Sequence, residues 1–107
     1  MPKKLRPSEA VPTLVANRLR TWGRAIRTQR VKQGVPAADL CRRMDISDAT
    51  LRRIERGDVG ASAATYLTAL WVLGLFETAA PALAPHYWDA DPNARASTSS
   101  PIDDDYF

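Results

Sequence analysis

Sulfur and imidazole are nearly missing from this chain: it holds one cysteine, Cys41, and one histidine, His86. A single thiol closes no intrachain disulfide, and two soft ligands of different kinds do not make a zinc site, so the fold is expected to rest on its apolar core, with Cys41 part of it. Long apolar runs are missing too. None approaches the roughly 20 residues that span a bilayer. The opening Met1-Pro-Lys-Lys-Leu-Arg6 has the basic character of a secretory leader, but the apolar stretch behind it is short, contains Pro12 and ends at Asn17-Arg18. No secretion signal is therefore expected, and the chain reads as a cytoplasmic, nucleoid-associated protein.

Alternating apolar residues of strand type do not occur, nor does an internal repeat, which leaves an all-α fold. The constellations of an enzyme are equally absent: no nucleophile beside a base, no paired carboxylates on one helical face, no glycine-rich phosphate loop. Asp103, Asp104 and Asp105 lack the spaced ligands and turn glycine of a calcium loop. No metal, cofactor or catalytic activity is expected.

Basic residues are scarce in the second half and concentrated in the first. Residues 1–56 hold 14 of the 15 Lys and Arg against 5 of the 12 acids, a net +9, whereas residues 57–107 hold 1 against 7, a net −6. The front half favours a polyanion, and the back half would be repelled by one.

Punctuation along the chain divides it into three segments. Residues 1–12, with three prolines, read as a basic flexible arm up to an N-cap at Thr13. Residues 13–84 read as one compact bundle of four to five helices. Val15, Leu19, Trp22 and Ile26 form the buried stripe of a first helix that stops before Gly34. A short second helix covers 36–44, with Pro36 as an early residue and Leu40, Cys41 and Met44 inward. Asp45 tolerates the left-handed turn that must follow, and Ser47 caps a third helix running to Arg56, closed by Gly57. Ser62 caps a fourth helix that closes at Gly74, and Leu75 to Ala84 form a fifth interrupted at Pro81. Residues 85–107 read as a flexible acidic tail.

On a helical wheel the third helix places Leu51 and Ile54 together on one side and gathers Ala49, Arg52, Arg53 and Arg56 on the opposite arc. A helix fits the major groove of B-DNA, arginine pairs with guanine edges or phosphate, and small residues near the helix start let the backbone approach the bases. A charged arc by itself also describes an ordinary solvated face.

The unit around this helix resembles the Cro/repressor-like (Xre) helix-turn-helix family. The resemblance runs from about Leu19 to Leu75 through Arg30-Val-Lys-Gln-Gly34, Ala38-Asp-Leu-Cys-Arg-Arg-Met44 and above all Ile46-Ser-Asp-Ala-Thr-Leu-Arg-Arg-Ile-Glu-Arg-Gly57. It implies a scaffolding ion pair between Arg30 and Glu55, and DNA contacts from Ser47, Asp48, Ala49, Thr50, Arg52 and Arg53. The family often carries Gln as the second residue of its second helix and Gly between the second and third; Ala37 and Asp45 stand there instead. Ala37 leaves only backbone N–H groups at that helix start to hold phosphate. Asp48, at the start of the third helix, either accepts from a cytosine amino group or repels phosphate.

A narrower resemblance, over Ser62-Ala-Ala-Thr-Tyr-Leu-Thr-Ala-Leu-Trp-Val-Leu-Gly-Leu75 and the Asp-Asp-Asp-Tyr-Phe end, is to HipB-like antitoxins. It implies an autorepressor that binds operator DNA as a homodimer and also binds a HipA-like kinase toxin. Asp103, Asp104, Asp105, Tyr106 and Phe107 would then be the partner-docking segment, unless those aromatics pack back on the chain's own helices. Trp71, Phe76, Leu83, Tyr87 and Trp88 exceed what so small a core needs, which suggests a dimer interface, although Trp71 alone could equally complete the core. A stand-alone repressor and an interaction module that does not touch DNA remain open; the latter has no use for a basic front half.

Overall fold

The computed structural model describes residues 10–90. These form five α-helices, α1 (Thr13–Lys32), α2 (Ala37–Met44), α3 (Asp48–Glu55), α4 (Ala63–Val72) and α5 (Phe76–Ala79), followed by a 3-10 turn at Pro85–Tyr87. No strand occurs among the described residues, which are all-α as the patterning implies. Residues 1–9 of the arm and residues 91–107, with the Asp103 to Phe107 segment, lie outside the described residues.

Several helix ends differ from expectation. Thr13 is the first residue of α1 rather than its cap; Pro12 precedes it and no side chain caps the helix. Pro36 sits outside α2 in extended conformation, and its carbonyl accepts the N–H groups of Asp39 and Leu40. The restricted backbone of proline thus starts this helix from the flanking position. Glu55 ends α3, with Arg56 as its C-cap. The fifth helix is only the single turn Phe76–Ala79; the chain leaves helical geometry at Ala80, ahead of Pro81. Residues before a proline are pushed away from the α region, which accounts for the early stop.

Ile26, Leu40, Cys41, Leu51, Ile54, Tyr66, Ala69, Leu70 and Leu73 make the buried core, and Leu19, Trp22, Val35, Met44 and Ile46 pack on it. The core joins α1, α2, α3 and α4, and each large side chain buried in it contributes about 1.5–3 kcal/mol relative to exposure. Val15, expected on the inner stripe of α1, is exposed, as is Leu14, because the first turn of α1 runs past the packed part of the bundle.

Where α1 crosses α3 the two backbones touch. A Cβ built on Gly23 would lie 2.4 Å from the carbonyl oxygen of Ile54 and 2.8 Å from that of Glu55. One turn away, a Cβ on Gly57 would lie 2.5 Å from the Cα of Arg20, and Gly57 also holds a φ of +77°, the left-handed region that glycine enters without strain. Main-chain contact therefore sets the pose of α3 on the body. Gln33 at the end of α1 donates to the Leu73 carbonyl at 2.9 Å and ties α1 to the end of α4.

Candidate nucleic-acid interface

The turn between α2 and α3 is built from three local preferences. Asp45 takes the left-handed conformation (φ 54°, ψ 51°), which an aspartate tolerates better than most residues. The next N–H, from Ile46, donates back to the Cys41 carbonyl at 3.0 Å, and the Ile46 side chain packs on the core. Ser47 is then extended, and its Oγ accepts the Thr50 N–H at 3.1 Å, satisfying one of the free donors at the start of α3. Ser47 Oγ and Thr50 Oγ1 also lie 3.0 Å apart. Cys41 lies under the turn with its Sγ 3.7 Å from the Ser47 carbonyl, and burial pushes its thiol pKa up.

The result is a helix with one wet face. Leu51 and Ile54 are buried, Thr50 and Arg53 half-buried, and Ser47, Asp48, Ala49, Arg52 and Arg56 exposed. Asp48, Arg52 and Arg56 follow at intervals of four and share one stripe, with Ala49 beside them leaving the backbone approachable. Asp48 Oδ2 and Arg52 Nη2 form an ion pair at 2.7 Å in which both side chains stay open to solvent, 58% and 74% exposed. The carboxylate at the start of α3 is therefore accompanied by a cation.

Arg53 departs from the outward arc drawn for it. Its Nε donates to Asp58 Oδ2 at 2.9 Å, the other oxygen of Asp58 accepts the Gly60 N–H at 2.7 Å, and the Tyr66 hydroxyl donates to the Asp58 carbonyl at 2.7 Å. These bonds knit the loop between α3 and α4. The Arg53 hydrogen bond and then the Gly60 N–H hold the Asp58 carboxyl below the usual range, while the same bond raises the Arg53 guanidinium. Burial pushes the Tyr66 phenol up to about 12. The left-handed Gly57 doubles the chain back and brings Asp58 beside Arg53, a juxtaposition that helical spacing does not show.

Arg30 and Glu55 meet across α1 and α3. Nε donates to Oε2 at 2.8 Å, Nη2 to Oε1 at 3.4 Å, and Nη1 to the Val35 carbonyl at 3.2 Å, with the two side chains only 13% and 10% exposed. One guanidinium thus ties together α1, the approach to α2 and the end of α3. Ala37, the first residue of α2, is half-buried against the core, so its contribution at that helix start is confined to the backbone.

Among the described residues the ion pairs are those of Arg30, Arg42, Arg52 and Arg53, the second being an exposed pair with Asp39. Arg18, Arg24, Arg27, Arg43 and Arg56 are exposed with no carboxylate partner among these residues, so the cationic surface spreads over α1, α2 and the end of α3. No group of His, Cys, Asp or Glu able to hold a metal ion occurs among the described residues, and no helix there is long and apolar enough to cross a membrane.

Trp71 is not a core residue: it stands 68% exposed on α4. Leu83, Tyr87 and Trp88 are exposed as well, and the Trp88 indole N–H donates to the Leu83 carbonyl at 3.0 Å, folding that segment on itself. Gly23, Asp58 and the Tyr66 hydroxyl, which position the site, were not among the residues singled out from the sequence. The charge and turn pattern around Gly57-Asp58 was the available signal for one of them.

Residues 22–83, more than half of the chain, match a protein family described as a helix-turn-helix domain. No curated protein and no solved structure matches the chain.

Proposed function

The chain belongs to the helix-turn-helix domain family, and from that membership we propose that it is a sequence-specific DNA-binding regulator of transcription whose α3 enters the major groove. The observation that carries the reading is the wet face of α3: Asp48, Ala49 and Arg52 exposed on a helix whose other side is locked into the core by Leu51 and Ile54. Ser47, Thr50 and Arg56, with the backbone at Ala37, supply phosphate contacts around it, and the free arginines of α1 and α2 add sequence-independent affinity. The DNA-binding unit is the segment 13–84.

An eight-residue helix is about 12 Å long and covers only a few base pairs, too little for operator affinities of about 10⁻⁸–10⁻¹¹ M. The working form is therefore a homodimer on half-sites about one helical turn apart, with Trp71 in the interface. Selection from a randomised duplex pool tests the function: a regulator enriches a palindromic sequence, and a chain that retains all duplexes alike is not one.

A finer reading makes the protein an autorepressing antitoxin paired with a HipA-like kinase toxin, acting at the nucleoid. It rests on the resemblance of residues 62–75 and of the Asp103 to Phe107 end. The exposed Trp71, Leu83, Tyr87 and Trp88 favour it by offering more apolar surface than one small contact needs. Co-purification with a kinase encoded beside it supports this reading, and an operator with no such neighbour leaves a stand-alone repressor.

A further inference from the structure

We propose that Arg52, and not Arg53, is the base-reading arginine of α3, and that Asp48 is the positioning residue that aims it at a guanine. This rests on the DNA-binding reading above and goes further by assigning one base contact and the residue that shapes it.

A long, solvent-exposed arginine samples many rotamers, and freezing one on a base edge opposes binding. Asp48 lies one turn before Arg52 on the same stripe, and its Oδ2 holds Nη2 at 2.7 Å while both side chains stay exposed. The guanidinium has five N–H donors, and this contact engages one nitrogen. Guanine presents two acceptors, O6 and N7, in the major groove, and the rest of the guanidinium supplies the two donors that they need. The pair is thus an arginine already held, with its donor edge free.

The carboxylate also gains a role. An isolated Asp at the start of a groove-facing helix repels the phosphates on either side, whereas one neutralised by Arg52 does so only weakly. Its other oxygen, Oδ1, is free to accept from the amino group of a cytosine in a neighbouring pair. Because the pair has no net charge, it adds little to binding of unrelated DNA. That affinity falls to Arg43, Arg56 and the arginines of α1.

Arg53 keeps its Nη donors too, but its side chain is 42% exposed against 74% for Arg52 and is tied to the loop rather than to its own helix. Its Nε is engaged by Asp58, whose second oxygen is taken by Gly60, and the loop that these bonds shape is anchored from below by Tyr66. Turning Arg53 toward a base would strip the loop carboxylate of its cation.

The test uses the full chain. A preferred duplex is selected from a randomised pool, and binding by wild type, Asp48→Asn, Arg52→Lys and Arg53→Lys is measured on that duplex, on its single-base variants and on unrelated DNA, with circular dichroism confirming that each variant folds. The expected result is one guanine in each half-site that wild type prefers by about 10–100-fold. Asp48→Asn lowers that preference about ten-fold at that position alone, with binding to unrelated DNA equal or tighter; Arg52→Lys removes it; Arg53→Lys leaves every base preference in place. Asp48→Asn with wild-type preferences, or Arg53→Lys erasing the preference at one base, overturns the assignment. A wild-type chain that enriches no sequence overturns the regulator reading itself, a distinct outcome.

Discussion

Gly23 of α1 rests directly on the carbonyl oxygen of Ile54 in α3, so closely that a methyl group in place of its hydrogen would sit 2.4 Å from that oxygen. In an exposed helix Gly→Ala stabilises by up to about 1 kcal/mol. Gly23→Ala is expected to do the opposite. The obstacle is main chain on an adjacent helix, which cannot swing aside, and overpacking of this kind costs about 1–3 kcal/mol. Denaturant melts check the sign, and because α3 is displaced, DNA affinity falls at temperatures where the variant is still folded.

Glu55→Ala leaves the Arg30 guanidinium at the α1–α3 crossing with only the Val35 carbonyl. Removing one member of a largely buried pair costs about 3–5 kcal/mol, against less than about 1 for an exposed pair. Thermal unfolding distinguishes the two, and Asp39→Ala, which breaks the exposed pair with Arg42, is the internal control.

Asp58 titrates below the ordinary carboxylate range in the folded chain, first through the Arg53 hydrogen bond and then through the Gly60 N–H. Its contribution is whole above the unfolded carboxylate pKa of about 4 and is lost as pH falls through the lower folded value. The wild-type melting temperature should therefore drop more steeply in acid than that of Asp58→Asn, and the two curves should converge at the lowest pH. Parallel curves would mean that the loop pair adds nothing to stability.

Trp71→Glu should leave helix content and unimolecular stability nearly unchanged, because that side chain is 68% exposed. It should nevertheless shift the chain toward monomer in sedimentation and weaken binding to a two-half-site duplex far more than to a single half-site. Loss of folded structure would return Trp71 to a structural role.

Arg24→Ala or Arg27→Ala, each removing an exposed cation of α1 without a carboxylate partner among the described residues, should weaken all DNA about equally. If the residue contacts a phosphate, the slope of log affinity against log salt should fall by about 0.9 for each. An unchanged slope places that part of α1 away from the duplex.

Much of this could be read from the chain because local chemistry dictates it. Ser47 and Ser62 each accept the N–H three residues on, and Asp45 takes the left-handed turn. Leu51 and Ile54 turn inward because the spacing of apolar residues demands it. What escaped reading depends on contacts between elements. Arg53 lies on the outer arc of an isolated helix, yet the reversal at Gly57 puts Asp58 beside it. Gly23 reads as a weak spot in a helix until another backbone lies against it. Trp71 was ambiguous because α4 is apolar on most of its circumference, and only the finite size of the core decides which side stays outside.

The position of Cys41 carries its own consequence. The chain's only thiol is buried beneath the turn, held toward its protonated form by burial and set against the Ser47 carbonyl, so the nucleophilic thiolate is scarce and sheltered. Disulfide exchange and thiol-directed alkylation therefore meet a poorly reactive cysteine in the folded molecule. A cysteine introduced on the surface would accordingly be the one site to accept a fluorescent or spin label.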